Sequence, residues 1–432
     1  MSQLGQDACS SYKTQGIAFL EKGTDSCVRC GLCLPHCPTY LLTGDESESP
    51  RGRISLIRAL AQNQLAPTPP LLGHLERCLT CRACESVCPS DVPYGRLIDT
   101  VRAQVRVQQS RGQRVKKHLL HQWLIPRPTL LRGLGGLMRL AQRIGVVGLA
   151  RRSGLLEALG WASLEALLPE LPPRQGWQPF FPAQGKERGQ VALFTGCVTD
   201  VVDQPSLMAT VQLLNQVGYG VHIPRKQVCC GALARHDGEW ERALALAVEN
   251  ITAFATAEVE AILCTASGCT TSLVDYPQWL QEVGMEAVAA RDFAGKLWDV
   301  NQFLLQRAWP ASVTLKPLAK RIAVQDPCSL RHVLHQHEAV YTLLRRIPEA
   351  DILPLPSNGQ CCGAAGSYML TQPEFAQFLR AEKINALQKI QPDILVTSNI
   401  GCALYLAAGI KEAALPIEIL HPVQLLARQL SF

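Results

Sequence analysis

Eight cysteines near the start of the chain fall into two runs with identical spacing. The first run is CVRCGLCLPHCP, at residues 27–38, and the second is CLTCRACESVCP, at residues 78–89. Both read C-x2-C-x2-C-x3-C-P, a spacing typical of chains that bind two [4Fe–4S] clusters, in which the fourth cysteine of each run serves the other cluster. Three thiolates two residues apart can hold three corners of one cluster, and the proline that follows prevents a regular helix from continuing.

This spacing predicts two clusters with four ligands each. Site I takes Cys27, Cys30, Cys33 and Cys88, and site II takes Cys78, Cys81, Cys84 and Cys37. Zinc is the alternative, but structural zinc sites usually pair two C-x2-C units across a longer loop. A thiolate-ligated cluster carries a net negative charge, and the arginines that could balance it are Arg29, Arg51, Arg53, Arg77 and Arg82.

Eight further cysteines occur in the same order twice in the second half of the chain. Row 1 consists of Cys197, Cys229, Cys230 and Cys269, and row 2 consists of Cys328, Cys361, Cys362 and Cys402. Cysteines at matched positions beside glycine (CCGA in both rows) indicate a metal, cluster or redox site, although buried thiols also pack as small hydrophobes. A cluster, zinc and no metal all stay open for both rows. We expect Cys264 to be a core thiol, with Val396 at the corresponding place in the second copy.

The elements around the two rows repeat as well. Strand and helix alternate twice in each copy, which predicts two small α/β modules with parallel sheets, and the unbroken apolar strands indicate sheets covered on both faces. The predicted architecture is a multidomain chain. It has an α-helical two-cluster ferredoxin-like domain at 1–110, a basic helical linker at 111–188, module 1 at 189–310 and module 2 at 311–432.

Composition limits the classes of function that the chain can serve. It has 432 residues, of which 18 are cysteine, 47% are hydrophobic and 18% are charged, with a net charge of +6. These values exclude global disorder and a polybasic arm for nucleic acid, which is not an expected partner. We find no secretory signal and no apolar run near the ~20 residues of a membrane span, so we expect a reducing, cytoplasmic compartment. No dinucleotide, P-loop or GxSxG motif occurs, so we predict no flavin site and no catalytic residue in this chain.

Together these motifs resemble the iron–sulfur subunits of glycolate oxidase over nearly the whole chain. The stretches that carry the resemblance are CVRCGLCLPHCPTY, GDESESPRGRISLI, ERCLTCRACESVCPSDVPY, the two CCGA turns, TASGC and TSNIGC. The wider group joins a two-cluster ferredoxin domain to two cysteine-rich CCG domains. It includes lactate-utilisation proteins, the anaerobic glycerol-3-phosphate dehydrogenase iron–sulfur subunit and heterodisulfide reductase subunits.

The resemblance implies an electron-transfer subunit of a flavin-dependent 2-hydroxy-acid (glycolate) dehydrogenase. Flavoprotein subunits of the complex would hold FAD and oxidise glycolate to glyoxylate, and this chain would pass electrons to a quinone or another membrane acceptor. The alternative is an iron–sulfur subunit of a lactate-utilisation or heterodisulfide-reductase-like complex. In the heterodisulfide reductase relatives the cluster-binding module ends in CxxC, whereas row 1 ends in SGCTTS and row 2 in IGCALY.

The segment between the two halves is strongly basic. Residues 101–188 contain 15 Lys and Arg against 4 Asp and Glu. Apolar residues recur at helical intervals over Leu119–Leu124 and Leu130–Leu140, which predicts helices there. The segment could contact an acidic flavoprotein surface or the anionic inner face of the plasma membrane, where each basic residue contributes about 1 kcal/mol. A solvated helical linker is the alternative.

Overall fold

A computed structural model describes residues 15–105, 127–158, 165, 167–256 and 258–431. Cys9 and the predicted helical segment at 119–124 lie outside the described residues. No described helix combines the length and the apolar character that crossing a bilayer requires.

The N-terminal domain consists of helices joined by the two cysteine runs. Its helices are α1 (15–25), α2 (Pro38–Thr43), α3 (Pro50–Ala61), α4 (Pro69–Glu76) and α5 (Tyr94–Val105), with 3₁₀ turns at Leu34–His36 and Glu46–Glu48. Proline starts α2, α3 and α4, where its missing N–H costs nothing and its fixed φ suits a first turn. A small apolar core that includes Ile57, Leu75, Leu97 and Ile98 holds these helices together. The helices therefore fix where the cysteine runs begin and end.

Three helices of the linker segment lie within its described residues. They are α6 (Pro128–Arg143), α7 (Val146–Arg152) and α8 (Leu155–Ala158). Gly135 of α6 packs so closely on module 1 that a Cβ at this position would lie 2.6 Å from Val201 Cγ1. The helix is thus fixed to module 1 rather than separated from it by solvent.

Module 1 contains a five-stranded sheet. Its strands are β1 (Phe180–Phe181), β2 (Gly189–Phe194), β3 (Tyr219–His222), β4 (Ala261–Cys264) and β5 (Leu297–Asp299), in the order β1-β3-β2-β4-β5. Only β1 runs antiparallel, and it comes from the proline-rich segment that the sequence placed in the linker. The helices are α9 (Thr199–Val202), α10 (Gln204–Gln216), α11 (Ala232–His236), α12 (Trp240–Ala255), α13 (Ser267–Val274), α14 (Tyr276–Gln281), α15 (Val288–Gly295) and α16 (Val300–Gln306).

Module 2 repeats this arrangement with four parallel strands. They are β6 (Arg321–Gln325), β7 (Asp351–Pro354), β8 (Ile394–Thr397) and β9 (Glu418–Leu420), in the order β7-β6-β8-β9. The helices are α17 (Glu338–Leu344), α18 (Tyr368–Thr371), α19 (Pro373–Ile390), α20 (Ile400–Glu412) and α21 (Pro422–Arg428), and a π-helical turn spans Ser329–Val333. The central strands β4 and β8 are buried along their whole length, as apolar strands covered on both faces should be. The predicted helical domain followed by two parallel α/β modules is confirmed.

The two modules share one apolar core. Helix α10 of module 1 packs on α21 of module 2, and α16 of module 1 packs on α17 of module 2. These are equivalent helices of the two copies paired crosswise, so the modules are related by an approximate two-fold arrangement. Buried residues of both copies, such as Leu207, Phe303, Leu343 and Leu426, belong to the same cluster. The interface between the modules is therefore built like a protein interior.

Candidate metal centres

The structure brings the four cysteines of site I around one surface cavity. The cavity is lined by Cys27, Cys30, Cys33 and Cys88, together with Cys84, Arg29, Gly31, Arg51 and Tyr94. Cys30 is exposed, and the other three cysteines of the site are partly exposed. Burial raises the pKa of the Cys33 thiol, since water cannot stabilise its thiolate fully there. Site I thus lies at the surface of the protein.

Site II lies deeper in the molecule. A second cavity is lined by Cys37, Cys78, Cys81 and Cys84, with Thr39, Leu79 and Arg53 among the other residues around it. Three of the four cysteines are buried, and only Cys81 keeps partial exposure. Burial raises the pKa of both Cys81 and Cys84 well above the usual value. The structure thus places the last cysteine of each run beside the other run, and Cys84 lines both cavities.

The backbones of the two loops follow the same unusual path. In each loop the second and fourth residues after the first cysteine have positive φ: Arg29 (57°) and Gly31 (84°) in the first, Thr80 (50°) and Arg82 (58°) in the second. Positive φ is rare for a β-branched residue such as Thr80. Successive N–H groups in such conformations form concave surfaces that bind anions. The Thr80 N–H already lies 3.4 Å from Cys78 Sγ.

A buried charge network supports site II. Arg53 is 1% exposed, and its Nη1 lies 4.0 Å from Cys37 Sγ, 3.0 Å from Thr39 Oγ1 and 2.6 Å from the Glu48 carbonyl oxygen. Its Nη2 donates to Glu48 Oε2, and its Nε donates to the carbonyl of His74. The carboxylate of Glu48 also binds Arg77 and His74. A guanidinium is thus fixed beside a site II sulfur.

The other arginines suggested by the sequence are placed differently. Arg51 pairs with Glu46, and Arg82 pairs with Glu85, while Arg29 is exposed beside site I. Tyr94 was missed by sequence reasoning, since a single tyrosine carries no motif. Its side chain lines both cavities, and its hydroxyl donates to Cys78 Sγ at 3.7 Å.

Row 1 forms a continuous line of thiols in module 1. Cys197 Sγ lies 3.4 Å from Cys229 Sγ, and Cys230 hydrogen-bonds both Cys229 and Cys269. The line extends to Cys264, whose thiol hydrogen-bonds Cys269. Cys264 is buried as expected, but it touches the row, which the sequence reasoning did not foresee.

The matching position in module 2 is Thr397, and the expectation of Val396 was wrong by one residue. The strand register pairs Phe194 with Cys264 and Gln325 with Thr397. Phe194 lies three residues before Cys197, and Gln325 lies three residues before Cys328, so Cys264 and Thr397 occupy equivalent positions. Thr397 Oγ1 donates to Gln325 Oε1 at 2.7 Å. Module 2 thus has four thiols in line where module 1 has five.

Row 2 lies at the ends of β6 and β8 and at the turn before α18. Hydrogen bonds link Cys361 to Cys328 and to Cys362. Cys362 Sγ lies 3.2 Å from Cys402 Sγ. Asn399, which stands where a CxxC motif would have its first cysteine, donates to Cys402 Sγ at 3.4 Å. Its Oδ1 accepts from the backbone N–H of Gly268, next to Cys269, so the two rows meet through one amide side chain.

Site II contacts row 2 directly. Cys81 of site II and Cys328 of row 2 pack against the same apolar cluster, which includes Leu79, Cys361 and Cys362. His332 joins the two domains here, because its Nδ1 lies 3.2 Å from Ser86 Oγ and its Nε2 lies 2.9 Å from the Gly359 carbonyl oxygen. The N-terminal domain also contacts module 1, where Asp99 pairs with His236. Site II therefore faces the modules, and site I faces solvent.

The residues around sites I and II suit iron–sulfur clusters. The site I cavity is lined by five thiols and the site II cavity by four, with Cys84 common to both, and neither cavity is lined by a carboxylate. Thiolates are soft ligands that select iron–sulfur clusters, zinc or copper(I) over hard cations. Buried thiols with raised pKa values keep their protons unless a metal replaces them, so metal binding there releases protons. The arginine at Cys37 and the backbone N–H groups of the loops are donors toward an anionic centre.

Comparison with known families assigns the parts of the chain separately. The model of the 4Fe-4S dicluster domain matches residues 23–92, and that of the cysteine-rich domain matches residues 191–274 and 322–407. The model of the glycolate oxidase iron–sulfur subunit linker region matches residues 112–168. Iron–sulfur binding and the repeat of the cysteine-rich module are thus both supported.

Whole-chain relatives agree with these matches. A protein described as a probable glycolate oxidase iron–sulfur subunit of Bacillus subtilis (strain 168) is 34% identical, over 93% of this chain and 93% of the relative. The glycolate oxidase iron–sulfur subunit of Escherichia coli (strain K12) is 35% identical over 89% and 90%. Lactate utilization protein A of Bacillus pumilus (strain SAFR-032) is 26% identical, over 55% of this chain and 98% of the relative.

Proposed function

Since the chain belongs to the glycolate oxidase iron–sulfur subunit family, we propose that it is the electron-relay subunit of a glycolate-oxidising complex. Under this proposal, FAD in partner flavoprotein subunits takes the electrons of glycolate as it becomes glyoxylate. This chain passes them on to a quinone or another acceptor at the membrane. A bound [4Fe–4S] cluster supplies reversible one-electron chemistry.

The observation that carries the proposal is the pair of adjoining cavities lined by the eight cysteines of the two runs. We propose that Cys27, Cys30, Cys33 and Cys88 hold one [4Fe–4S] cluster and that Cys78, Cys81, Cys84 and Cys37 hold the other. Tyr94, Cys84 and Pro50 line both cavities, so the two sites share a wall. Adjacent sites suit the transfer of single electrons, whereas two structural zinc ions would need no common wall.

The chain's own residues define the two ends of this relay. The exposed Cys30 loop, with Val28 at 68% and Leu32 at 55% exposure, leaves site I accessible to another protein. Burial of site II against module 2 excludes water from the other end. We propose that the flavoprotein docks at the site I loop, because that loop brings ligands to the surface.

We also propose a peripheral place for the chain on the inner face of the plasma membrane. Leu137 of α6, Ile144 of the turn after it and Leu149 of α7 are exposed, and Arg143 and Arg152 are exposed on the same two helices. An apolar helix face next to arginines suits an anionic lipid surface. A flavoprotein surface is the competing occupant of this face.

Reconstitution tests the relay. The full chain, co-expressed with its flavoprotein partners and purified without oxygen, should reduce a one-electron dye with glycolate. Cys84→Ala should abolish dye reduction but leave flavin reduction by glycolate intact, because the substrate site is in another chain. The same dye assay with lactate in place of glycolate tests the alternative, because a lactate-utilisation complex would reduce the dye with lactate. A complex that oxidises glycolate equally fast without this chain would contradict the proposal.

A further inference from the structure

We propose that the imidazole of His332 binds a second proton when the neighbouring N-terminal sites take up an electron, so that the chain couples electron transfer to proton uptake. The inference rests on the proposed function, because it takes sites I and II to hold redox clusters. It deepens that function by adding a proton site that lies outside the cysteine motifs.

His332 lies between the cysteine loops and module 2. It belongs to the π-helical turn Ser329–Val333 and is partly exposed. Its Nδ1 lies 3.2 Å from Ser86 Oγ, and its Nε2 lies 2.9 Å from the Gly359 carbonyl oxygen. Ser86 stands midway between Cys84 and Cys88, which are ligands of different proposed clusters. The ring therefore contacts the short peptide that joins the two sites, although it lines neither cavity.

The hydrogen-bond partners of the ring suit both of its protonation states. The Gly359 carbonyl only accepts, so Nε2 carries a proton in either state. The Ser86 hydroxyl donates to the Ala83 carbonyl at 2.9 Å, which leaves its oxygen able to accept from a protonated Nδ1. When Nδ1 is unprotonated, the same hydroxyl can rotate and donate to it instead. The second proton thus has a defined place and a defined acceptor.

The groups nearest to the ring oppose the second proton. Burial lowers the pKa of His332 below its ordinary value, and the positive charge of Arg331 acts in the same direction, although the bond to Gly359 counters them. His335 of the same segment and His36 of the 3₁₀ turn in the first cysteine run also face the ring and repel a second charge. All three neighbours are basic side chains.

The charges on the two segments that the ring touches are already paired or positive. Glu85, next to Ser86, pairs with Arg82. The turn that contains Gly359 is contacted by the ammonium of Lys383. In the oxidised chain the charges around His332 therefore favour the neutral ring.

Reduction changes this balance, because it adds one negative charge at the proposed cluster sites. The attraction between that charge and an imidazolium is screened less in a partly buried position than in water, so Nδ1 gains affinity for a proton. The electron comes from the flavoprotein donor, the proton comes from solvent at the exposed side of the ring, and one N–H bond forms at Nδ1. Oxidation releases the same proton.

The fixed cations near the two sites differ from His332 in this respect. Arg53 pairs with Glu48, and Arg51 pairs with Glu46. A guanidinium stays charged at every physiological pH, so it offsets the cluster potential by a constant amount. A histidine changes charge near neutral pH and therefore makes the potential depend on pH.

Redox potentiometry of the full chain, purified anaerobically with its clusters and without partner or glycolate, tests the inference. EPR signals during stepwise dithionite reduction give the midpoint potentials between about pH 5 and 8. In the parent chain, the potential of at least one N-terminal cluster should fall as the pH rises. Its limiting slope should be about 59 mV for each tenfold drop in proton concentration, the value for one proton per electron.

Two substitutions of His332 separate a proton site from a structural contact. His332→Gln should remove the slope and hold the potential at the value that the parent reaches at high pH. His332→Arg should also remove the slope but hold the potential at the parent's low-pH value, because a fixed cation favours the reduced state. Both variants should retain the iron content of the parent. A merely structural role would shift the potential of both variants in the same direction.

His222→Gln is the matched control, since this module 1 histidine bonds Gln190 and should leave the slope unchanged. A parent potential that is independent of pH, or a slope that survives in His332→Gln, would overturn the inference. A slope that survives in His332→Gln and disappears in His36→Gln would assign the proton to His36 instead.

These measurements do not depend on substrate turnover. A pH-dependent potential in a chain that gives no glycolate-dependent dye reduction would reject the proposed function but not the proton site. A potential independent of pH in a chain with full dye reduction would reject the proton site alone.

Discussion

Arg53 shows how a single residue ties the fold to site II. Its guanidinium joins the Cys37 sulfur to the Glu48 carboxylate in the interior, where charges interact strongly and unpaired groups are costly. Arg77 and His74 approach the same carboxylate from the other side. Removal of Arg53 would leave Glu48 with these two partners and Cys37 without a cationic neighbour.

Arg53→Met should lower the free energy of unfolding of the chain by about 3 kcal/mol, the lower end of the range for a broken buried pair, because Arg77 still faces Glu48. Arg58→Gln on the same helix is the control. Arg58 pairs with Asp25 at the surface, so its substitution should lower the free energy of unfolding by less than about 1 kcal/mol. Urea unfolding measures both. Equal effects of the two substitutions would show that the Arg53 network does not stabilise the fold.

At the residue scale, the sequence predicted those residues whose role is visible in the spacing of a motif. The C-x2-C-x2-C-x3-C-P runs identified the eight cysteines that surround the two cavities. Tyr94 could not be found this way, because its role depends on a contact between residues far apart in the chain, Tyr94 and Cys78. The positive φ of Thr80 was equally hidden, since threonine strongly disfavours it.

Among the structural elements, the CCG turns show why glycine follows the cysteine pair. Gly231 has φ of 82° and Gly363 has φ of 91°, in the left-handed region that glycine tolerates best. Each turn also passes close to the following helix, and a Cβ would lie 3.3 Å from the Ala243 carbonyl oxygen in module 1 but 2.5 Å from that of Ala376 in module 2. Module 2 is packed more tightly at this point.

Gly363→Ala should therefore lower the free energy of unfolding more than Gly231→Ala does. The left-handed conformation alone costs about 1–2 kcal/mol, as expected for Gly231→Ala, and the forced shift of α19 should bring Gly363→Ala to about 3 kcal/mol. Gly359→Ala is the control, because a Cβ there meets nothing within 4 Å. Thermal unfolding ranks the three variants, and a Gly363→Ala chain as stable as Gly359→Ala would contradict the close approach.

The residues that begin α16 and α21 are buried titratable groups at equivalent positions. Asp299 accepts from the Asn301 N–H at the start of α16, and His421 accepts from the Val423 N–H at the start of α21. Burial raises the pKa of Asp299 to about 6 and lowers that of His421 to about 4. Both side chains are therefore neutral over part of the pH range in which they would be charged when unfolded.

For Asp299 the pH dependence has a definite sign. The folded state keeps a proton up to about pH 6, whereas the unfolded carboxyl loses it near 3.8, so stability from this group is full below 3.8 and is lost as the pH rises through 6. Asp299→Asn should flatten the fall in unfolding free energy between pH 4 and 6 by on the order of 1 kcal/mol per pH unit. Urea titrations at pH 4, 5 and 6 measure it, and parallel curves for the variant and the parent would contradict the assignment.

At the element scale the repeated strands were predictable because four apolar residues in a row mark a buried strand. The edge strands β1, β5 and β9 were not assigned from the sequence, since they are only two or three residues long and partly exposed. Phe180 and Phe181 lie in a proline-rich stretch that has no strand pattern of its own. Pairing with β3 alone makes them a strand.

For the whole molecule, the basic segment does not expose all its positive charge to solvent as a simple basic patch would. Arg132 pairs with Asp200 of module 1, and Arg139 donates to the Val201 carbonyl, so part of the positive charge faces inward. Leu137, at 65% exposure, and Leu149, at 68%, point to solvent instead. The helices thus use arginines to bind the protein and leave an apolar face free.

Leu137→Ser combined with Leu149→Ser should weaken binding of the full chain to vesicles containing anionic lipid by at least about tenfold, because each buried leucine contributes about 1.5–3 kcal/mol. Leu370→Ser, an exposed leucine on α18, is the control. Vesicle sedimentation at low and high salt measures both the apolar and the electrostatic contributions. Loss of flavoprotein binding with unchanged sedimentation would assign this face to the partner subunit.

The crosswise pairing of α10 with α21 and of α16 with α17 has a consequence for how the second half of the chain can be divided. Because these four helices cover one continuous interior, a cut between residues 310 and 311 would expose the inner surface of both copies to water. Neither copy should then fold alone, and the pair should melt in a single cooperative transition. Although it consists of two matching copies, this region is physically one domain, so a metal bound in either copy should stabilise both.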